Sequence, residues 1–96
     1  MTQKNKKRIC RVCGLYYRNF YPWGEDGKIP SHEICDCCGI EFGYEDNNNK
    51  STENARKKWT EGGYVWFNFE KRPKGWDSLQ QLKNIPPEFL GPDEKY

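Results

Sequence analysis

Four of the five cysteines fall into two pairs of the same spacing, Cys10-Arg11-Val12-Cys13 and Cys35-Asp36-Cys37-Cys38, with twenty-one residues between Cys13 and Cys35. A two-residue gap lets both sulfurs of one tight turn face a single ion, and two such turns complete a tetrahedron. A closed shell of four thiolates, with Zn–S bonds of about 2.3 Å, is the arrangement of structural zinc. A glycine follows each pair at once, Gly14 and Gly39. A left-handed residue at that position lets backbone N–H groups turn toward the sulfurs. The spacer slightly exceeds the usual range of roughly 15–20 residues, and a loop rich in proline and glycine accounts for the excess. Cys10, Cys13, Cys35 and Cys38 are therefore the expected ligands of one structural Zn2+. Iron is the alternative, because a tetrahedral four-sulfur shell suits either metal.

Cys37 offers a second way of pairing in the second knuckle, but only Cys35 with Cys38 repeats the spacing of the first. Cys37 is thus read as a spare thiol. His32, the single histidine, lies three residues before Cys35 and would compete with a complete four-cysteine set. It is read as a strand residue entering the knuckle. Four thiolates around a divalent ion leave a formal charge of −2, for which Arg8 and Arg11 are candidate neighbours; the other reading leaves both as solvated residues. No phosphate loop, nucleophile elbow or catalytic Cys/His pairing is present. The carboxylates Glu41, Glu45 and Asp46 read as a solvated loop. A zinc ion with all four positions filled by sulfur has no open site to activate water. The sequence therefore carries no catalytic or cofactor-binding residues that can be named, and it reads as non-enzymatic.

The segment from Met1 to Arg11 is polar and basic and has no apolar stretch of the kind a signal peptide needs. No run of about 18 apolar residues exists that would span a bilayer. A cytoplasmic address follows, where thiols stay reduced and cysteine patterns bind metal. The overall charge of +2 is unevenly spread. Of 16 Lys and Arg, five lie in residues 1–11, where there is no acid; the other 11 face 14 Asp and Glu, which leaves the body at −3. That balance argues against nucleic acid, which asks for a basic face on the folded domain.

Ninety-six residues make one domain. Only 34% of them are hydrophobic, and the mean hydropathy is −1.13, so the aliphatic core must be thin. Four Trp, six Tyr and five Phe compensate, since each ring buries roughly 150–250 Å². The expected organisation is a flexible basic tail at 1–8, one zinc-stabilised domain at 9–90 and a tail at 91–96. Within the domain, 9–46 is a knuckle region and 47–90 a helix-aromatic region. The main helix is expected over 52–61, with Ser51 or Thr52 as N-cap, Ala55 and Trp59 as its buried stripe, and Gly62-Gly63 as its stop. Arg56, Lys57 and Glu61 should be partly exposed. Tyr64 to Phe69 reads as a strand-like aromatic run. A second, shorter helix starts at Asp77 with Gln80 completing a capping box, places Leu79 and Leu82 on one face, and ends before Pro86-Pro87. The fold class is a small α+β metal-stabilised domain of zinc-ribbon type.

The run Pro30-Ser31-His32-Glu33-Ile34-Cys35-Asp36-Cys37-Cys38-Gly39-Ile40-Glu41-Phe42-Gly43-Tyr44-Glu45-Asp46 resembles the bacterial cysteine-rich CPCC family, whose members often read S-Y-E-I-C-P-C-C-G-x-E-F-G. The likeness continues through Arg56-Lys57-Lys58-Trp59 with Gly62-Gly63, and through Gly75-Trp76-Asp77 and Gln81-Leu82-Lys83-Asn84-Ile85. It covers most of residues 9–85. Arg11 and Asp36 stand where the family usually has proline, and His32 replaces a tyrosine. The resemblance implies knuckles similar to zinc ribbons and rubredoxins. Some members are small cytosolic proteins encoded near secreted toxins, which implies an immunity protein that neutralises a toxin.

Three functions follow as expectations. The first is a protein-interaction module, on the excess of aromatics at Trp59, Trp66, Phe67, Phe69 and Trp76. The second is a nucleic-acid-binding zinc ribbon, favoured by the basic tail and Arg56-Lys57-Lys58. The third is an iron electron carrier of rubredoxin type.

Overall fold

Each knuckle closes with the same set of backbone bonds. The amide of Cys10 donates to Leu15 O at 2.9 Å, and that of Gly14 to Cys10 O at 3.0 Å. In the second, the amide of Cys35 donates to Ile40 O at 2.8 Å, and that of Gly39 to Cys35 O at 3.0 Å. Gly14 and Gly39 take φ of 83° and 79°, the left-handed region that an L-residue enters only at a cost. One antiparallel bridge flanks each turn, Ile9 to Tyr16 and Ile34 to Glu41. The two turns are therefore copies of one unit, and Val12 and Cys37, third in each, are both fully buried.

The computed structural model describes residues 5–96. Among them the elements are two helices, α1 (Asn49–Glu61) and α2 (Ser78–Leu82), and single 3-10 turns at Lys6–Arg8, Phe69–Lys71 and Pro87–Phe89. The β structure among the described residues amounts to the two bridges, so the expected α+β zinc-ribbon sheet is not what forms. What forms is a small domain with a radius of gyration of 12.3 Å, held by loops around a core of cysteines and rings.

Helix α1 begins a turn earlier than expected. Asn48 caps it, its side chain accepting from the Ser51 amide at 2.8 Å, and Thr52 turns inward to donate to Asn48 O at 2.7 Å. Its buried stripe is Thr52, Arg56 and Trp59, whereas Ala55 is only half-buried. The expected exposure of Arg56 is thus overturned, and its side chain is 0% exposed. The helix ends as its glycine pair requires: Gly63 at φ 94° and Tyr64 at φ 60° are left-handed, and the Tyr64 amide caps Trp59 O at 3.0 Å.

Tyr64 to Phe69 is not a strand. The successive amides of Phe67 and Asn68 both donate to the second knuckle, to Cys37 O at 2.9 Å and Asp36 O at 2.8 Å. A strand would point consecutive amides to opposite sides. Exposure still alternates. Trp66 is buried at 5%, while Val65, Phe67 and Phe69 are 66%, 66% and 70% exposed.

Asp77 caps α2 by accepting from the amides of Leu79 and Gln80. The helix has only five residues, and Leu79 does not share the inward face: Leu82 is 1% exposed but Leu79 57%. Gln81 enters the core in its place. Residues 1–4 lie outside the described residues, while Lys6–Arg8 form a turn from which Arg8 donates to the Tyr21 hydroxyl at 2.9 Å. The last six residues fold back, so that the Glu94 carboxylate pairs with Arg56 and accepts from the Gly91 amide at 2.8 Å.

Candidate metal centre

The two knuckles face each other and bring Cys10, Cys13, Cys35 and Cys38 together, with all four sulfurs within 4.8 Å of one another. The contacts run crosswise between knuckles: Cys10 to Cys38 at 3.7 Å and Cys13 to Cys35 at 3.8 Å. Shifting either pair by the interval between knuckles gives the other, which is what a local two-fold relation between copies produces. Tetrahedral zinc with bonds of about 2.3 Å requires sulfur–sulfur edges of about 3.8 Å. The two crosswise contacts match that edge, and the cluster as a whole is compatible with one metal ion. Cys10, Cys13 and Cys35 are fully buried and Cys38 is half-buried.

Burial pushes the thiols of Cys10, Cys13 and Cys38 up. It acts the same way on Cys35, but hydrogen bonds from Cys10, Cys13, Cys38 and Tyr17 outweigh it and hold that thiol well below its ordinary range. Charged sulfurs at this depth need a cation among them.

Tyr17 is the contact sequence reasoning missed. Its hydroxyl donates to Cys35 Sγ at 3.4 Å and accepts from the Asp36 amide at 3.2 Å. Burial and the neighbouring Cys35 push that hydroxyl far up, so it remains a proton donor. Its ring stands edge-on to Phe20 and Phe42, with centroids at 5.2 and 6.1 Å. A usable signal was present, since the knuckle repeat aligns Tyr17 with Phe42 and only the former carries a hydroxyl.

Cys37 stays outside the cluster. It is buried, and its sulfur accepts from Gln81 Nε2 at 3.3 Å. Gln81 also donates to Cys13 O at 3.0 Å and accepts from the Trp76 indole at 2.7 Å. This one amide thereby ties both knuckles to the aromatic region. His32 is exposed, lies 3.4 Å from the Glu41 carboxylate and is not among the clustered ligand atoms. Its φ of 62° is left-handed and takes it out of the extended conformation of a strand.

The two arginines weighed as neighbours of the sulfurs are engaged elsewhere. Arg11 is stacked between Trp23 and Phe89, 4.0 and 4.4 Å from the ring centroids, and donates to Gly27 O at 3.1 Å. Arg8 is held by Tyr21. The arginine that does support the centre is Arg56. It donates from Nε to Val12 O at 2.7 Å, and from Nη2 to Arg11 O at 2.6 Å and Phe89 O at 3.0 Å. In the second knuckle the equivalent carbonyls, Asp36 O and Cys37 O, take the Asn68 and Phe67 amides. One knuckle is thus fixed by a guanidinium and the other by main chain.

No family model, curated protein or solved structure matches the chain. Among the described residues no helix is long and apolar enough to cross a membrane.

Proposed function

We propose that Cys10, Cys13, Cys35 and Cys38 hold one structural zinc ion, and that the chain is a non-enzymatic module that binds another protein. The observation that carries this reading is the exposure of Val65, Phe67 and Phe69 beside the buried Trp66. The backbone of these residues is anchored to the second knuckle through the Phe67 and Asn68 amides. An exposed apolar patch on a rigid base marks an interaction site, and large rings supply most binding energy at interfaces. The knuckles support a zinc-ribbon kinship at the level of the metal unit, with loops in place of the sheet.

A shell closed by four sulfurs supports a structural rather than catalytic metal. Reduced thiolates further support a cytoplasmic setting. The family resemblance adds a bacterial toxin as the partner, and a toxin gene immediately upstream would support it. Iron remains the competing metal; a red protein with thiolate-to-iron charge-transfer bands would make the chain an electron carrier instead. The interaction reading is tested by capturing partners from the native host with the metal-loaded protein and with a Phe67→Ser/Phe69→Ser variant. A partner lost by the variant, at unchanged metal content and melting temperature, is the expected result. Equal capture by both proteins contradicts the reading.

A further inference from the structure

Between the end of α1 and the start of α2 lies an open cleft of about 370 Å³, walled by Tyr64, Val65, Trp66, Phe69, Arg72 and Trp76. Its base is a set of interlocked rings. Trp66 meets Trp76 edge-on with centroids 5.3 Å apart, and Tyr64 meets Trp59 at the same distance. Two features of the cleft point to one kind of ligand. Trp66 is 5% exposed, yet its indole N–H meets no acceptor among the described residues. Buried donors are normally paired, and this one, without a protein acceptor among the described residues, belongs to a residue that lines the cleft. Arg72 lies 5.5 Å from the Trp76 ring centroid, which puts a cation at the rim.

We propose that this cleft binds an acidic segment of a partner protein, with an apolar side chain anchored among the rings and carboxylates facing Arg72. The inference rests on the interaction module proposed above and specifies its ligand. From Tyr64 to Trp76, Lys71, Arg72 and Lys74 face one acid, Glu70, so the charge is complementary to an acidic chain. A cationic ligand, which aromatic walls alone would welcome, is repelled by Arg72. A single-stranded nucleic acid needs a cationic track along its backbone. Here the cations are confined to 71–74, Lys71 lies 3.8 Å from Asp36, and the rest of the body is acidic.

The test is a selection from a random displayed-peptide library on the metal-loaded protein. Selected peptides are then titrated by fluorescence anisotropy against wild type, Arg72→Glu and Phe69→Ser, with oligothymidylate as a parallel probe. Both substituted side chains are exposed, and metal content checks that each variant is folded. Peptides pairing Asp or Glu with an aromatic or leucine anchor are expected. Arg72→Glu should weaken them about tenfold, and binding should shift the NMR resonance of the Trp66 indole N–H. Peptides that lack acids, bind Arg72→Glu equally or leave the indole unshifted overturn the acidic ligand while leaving an interaction module standing. Oligothymidylate binding with a steep salt slope overturns both, as does the absence of any enriched peptide.

Discussion

Arg56 donates from Nε to Val12 O at 2.7 Å, linking the middle of α1 to the first cysteine knuckle across 44 residues of sequence. The same guanidinium serves Arg11 O, Phe89 O and the Glu94 carboxylate. Arg56→Met should therefore lower stability by about 3–5 kcal/mol, because it strands a partly buried carboxylate and several carbonyls. Lysine lacks the planar fork, so Arg56→Lys should recover little of that loss. Urea unfolding of the metal-loaded protein measures both, with Lys57→Ala as the solvated control. A midpoint unchanged in Arg56→Met would remove this residue from the account.

Tyr17→Phe keeps the ring that packs on Phe20 and Phe42 but deletes the donor to Cys35 and the acceptor of the Asp36 amide. Groups that hydrogen-bond to a metal ligand typically contribute 10–100-fold in affinity. A loss of about that size is expected in competition with a chromophoric chelator. The near-ultraviolet circular dichroism of the loaded protein should hardly change. Wild-type affinity in Tyr17→Phe would mean the hydroxyl is only a packing group.

Cys37 occupies the position of Val12 in the repeated knuckle and lies outside the sulfur cluster. Cys37→Ser should keep full metal stoichiometry at a cost of about 1 kcal/mol. Cys35→Ser and Cys38→Ser should lose metal or fail to fold. Zinc released from Cys37→Ser as readily as from Cys38→Ser would show that the ligand set is wrong.

The two knuckle glycines should respond unequally to alanine. A Cβ on Gly14 would lie 2.2 Å from Gln81 O, whereas one on Gly39 would lie 3.2 Å from the Phe67 ring, a side chain that can yield. Both pay the left-handed penalty of about 1–2 kcal/mol; Gly14→Ala also displaces α2. Thermal melts should place Gly14→Ala well below Gly39→Ala. The reverse order would contradict the packing of α2 on the first knuckle.

What was legible in the sequence was what spacing encodes. The paired Cys-x-x-Cys-Gly motifs placed four sulfurs together and left Cys37 aside. The glycine pair and Asp77 marked where α1 stops and α2 starts. The large residues after Tyr64 left open whether both faces or only one would be covered; Trp66 is buried and Val65, Phe67 and Phe69 are exposed, although no strand forms to carry them. Arg56 was illegible because, beside Lys57 and Lys58, a buried guanidinium and a solvated one have the same composition. Only its position three residues before Trp59 placed it on the inward stripe. Gln81 and Glu94 were missed for a related reason: their partners, Cys13 and Arg56, are far along the chain, and no local pattern records such pairings. The strand expected over 64–69 fails for the same reason, since the Phe67 and Asn68 amides are taken by the carbonyls of Cys37 and Asp36 in the distant second knuckle.

The central claim is that one zinc ion in the four-cysteine cluster holds this domain together, and chelation under reducing conditions tests it most directly. Protein purified without added chelator should carry one zinc per chain and unfold cooperatively. Once the metal is removed and its absence verified, the aromatic circular dichroism and the cooperative transition should both be lost, because binding a structural zinc supplies folding free energy. Native aromatic dichroism and an unchanged unfolding midpoint in the verified metal-free chain would contradict the account.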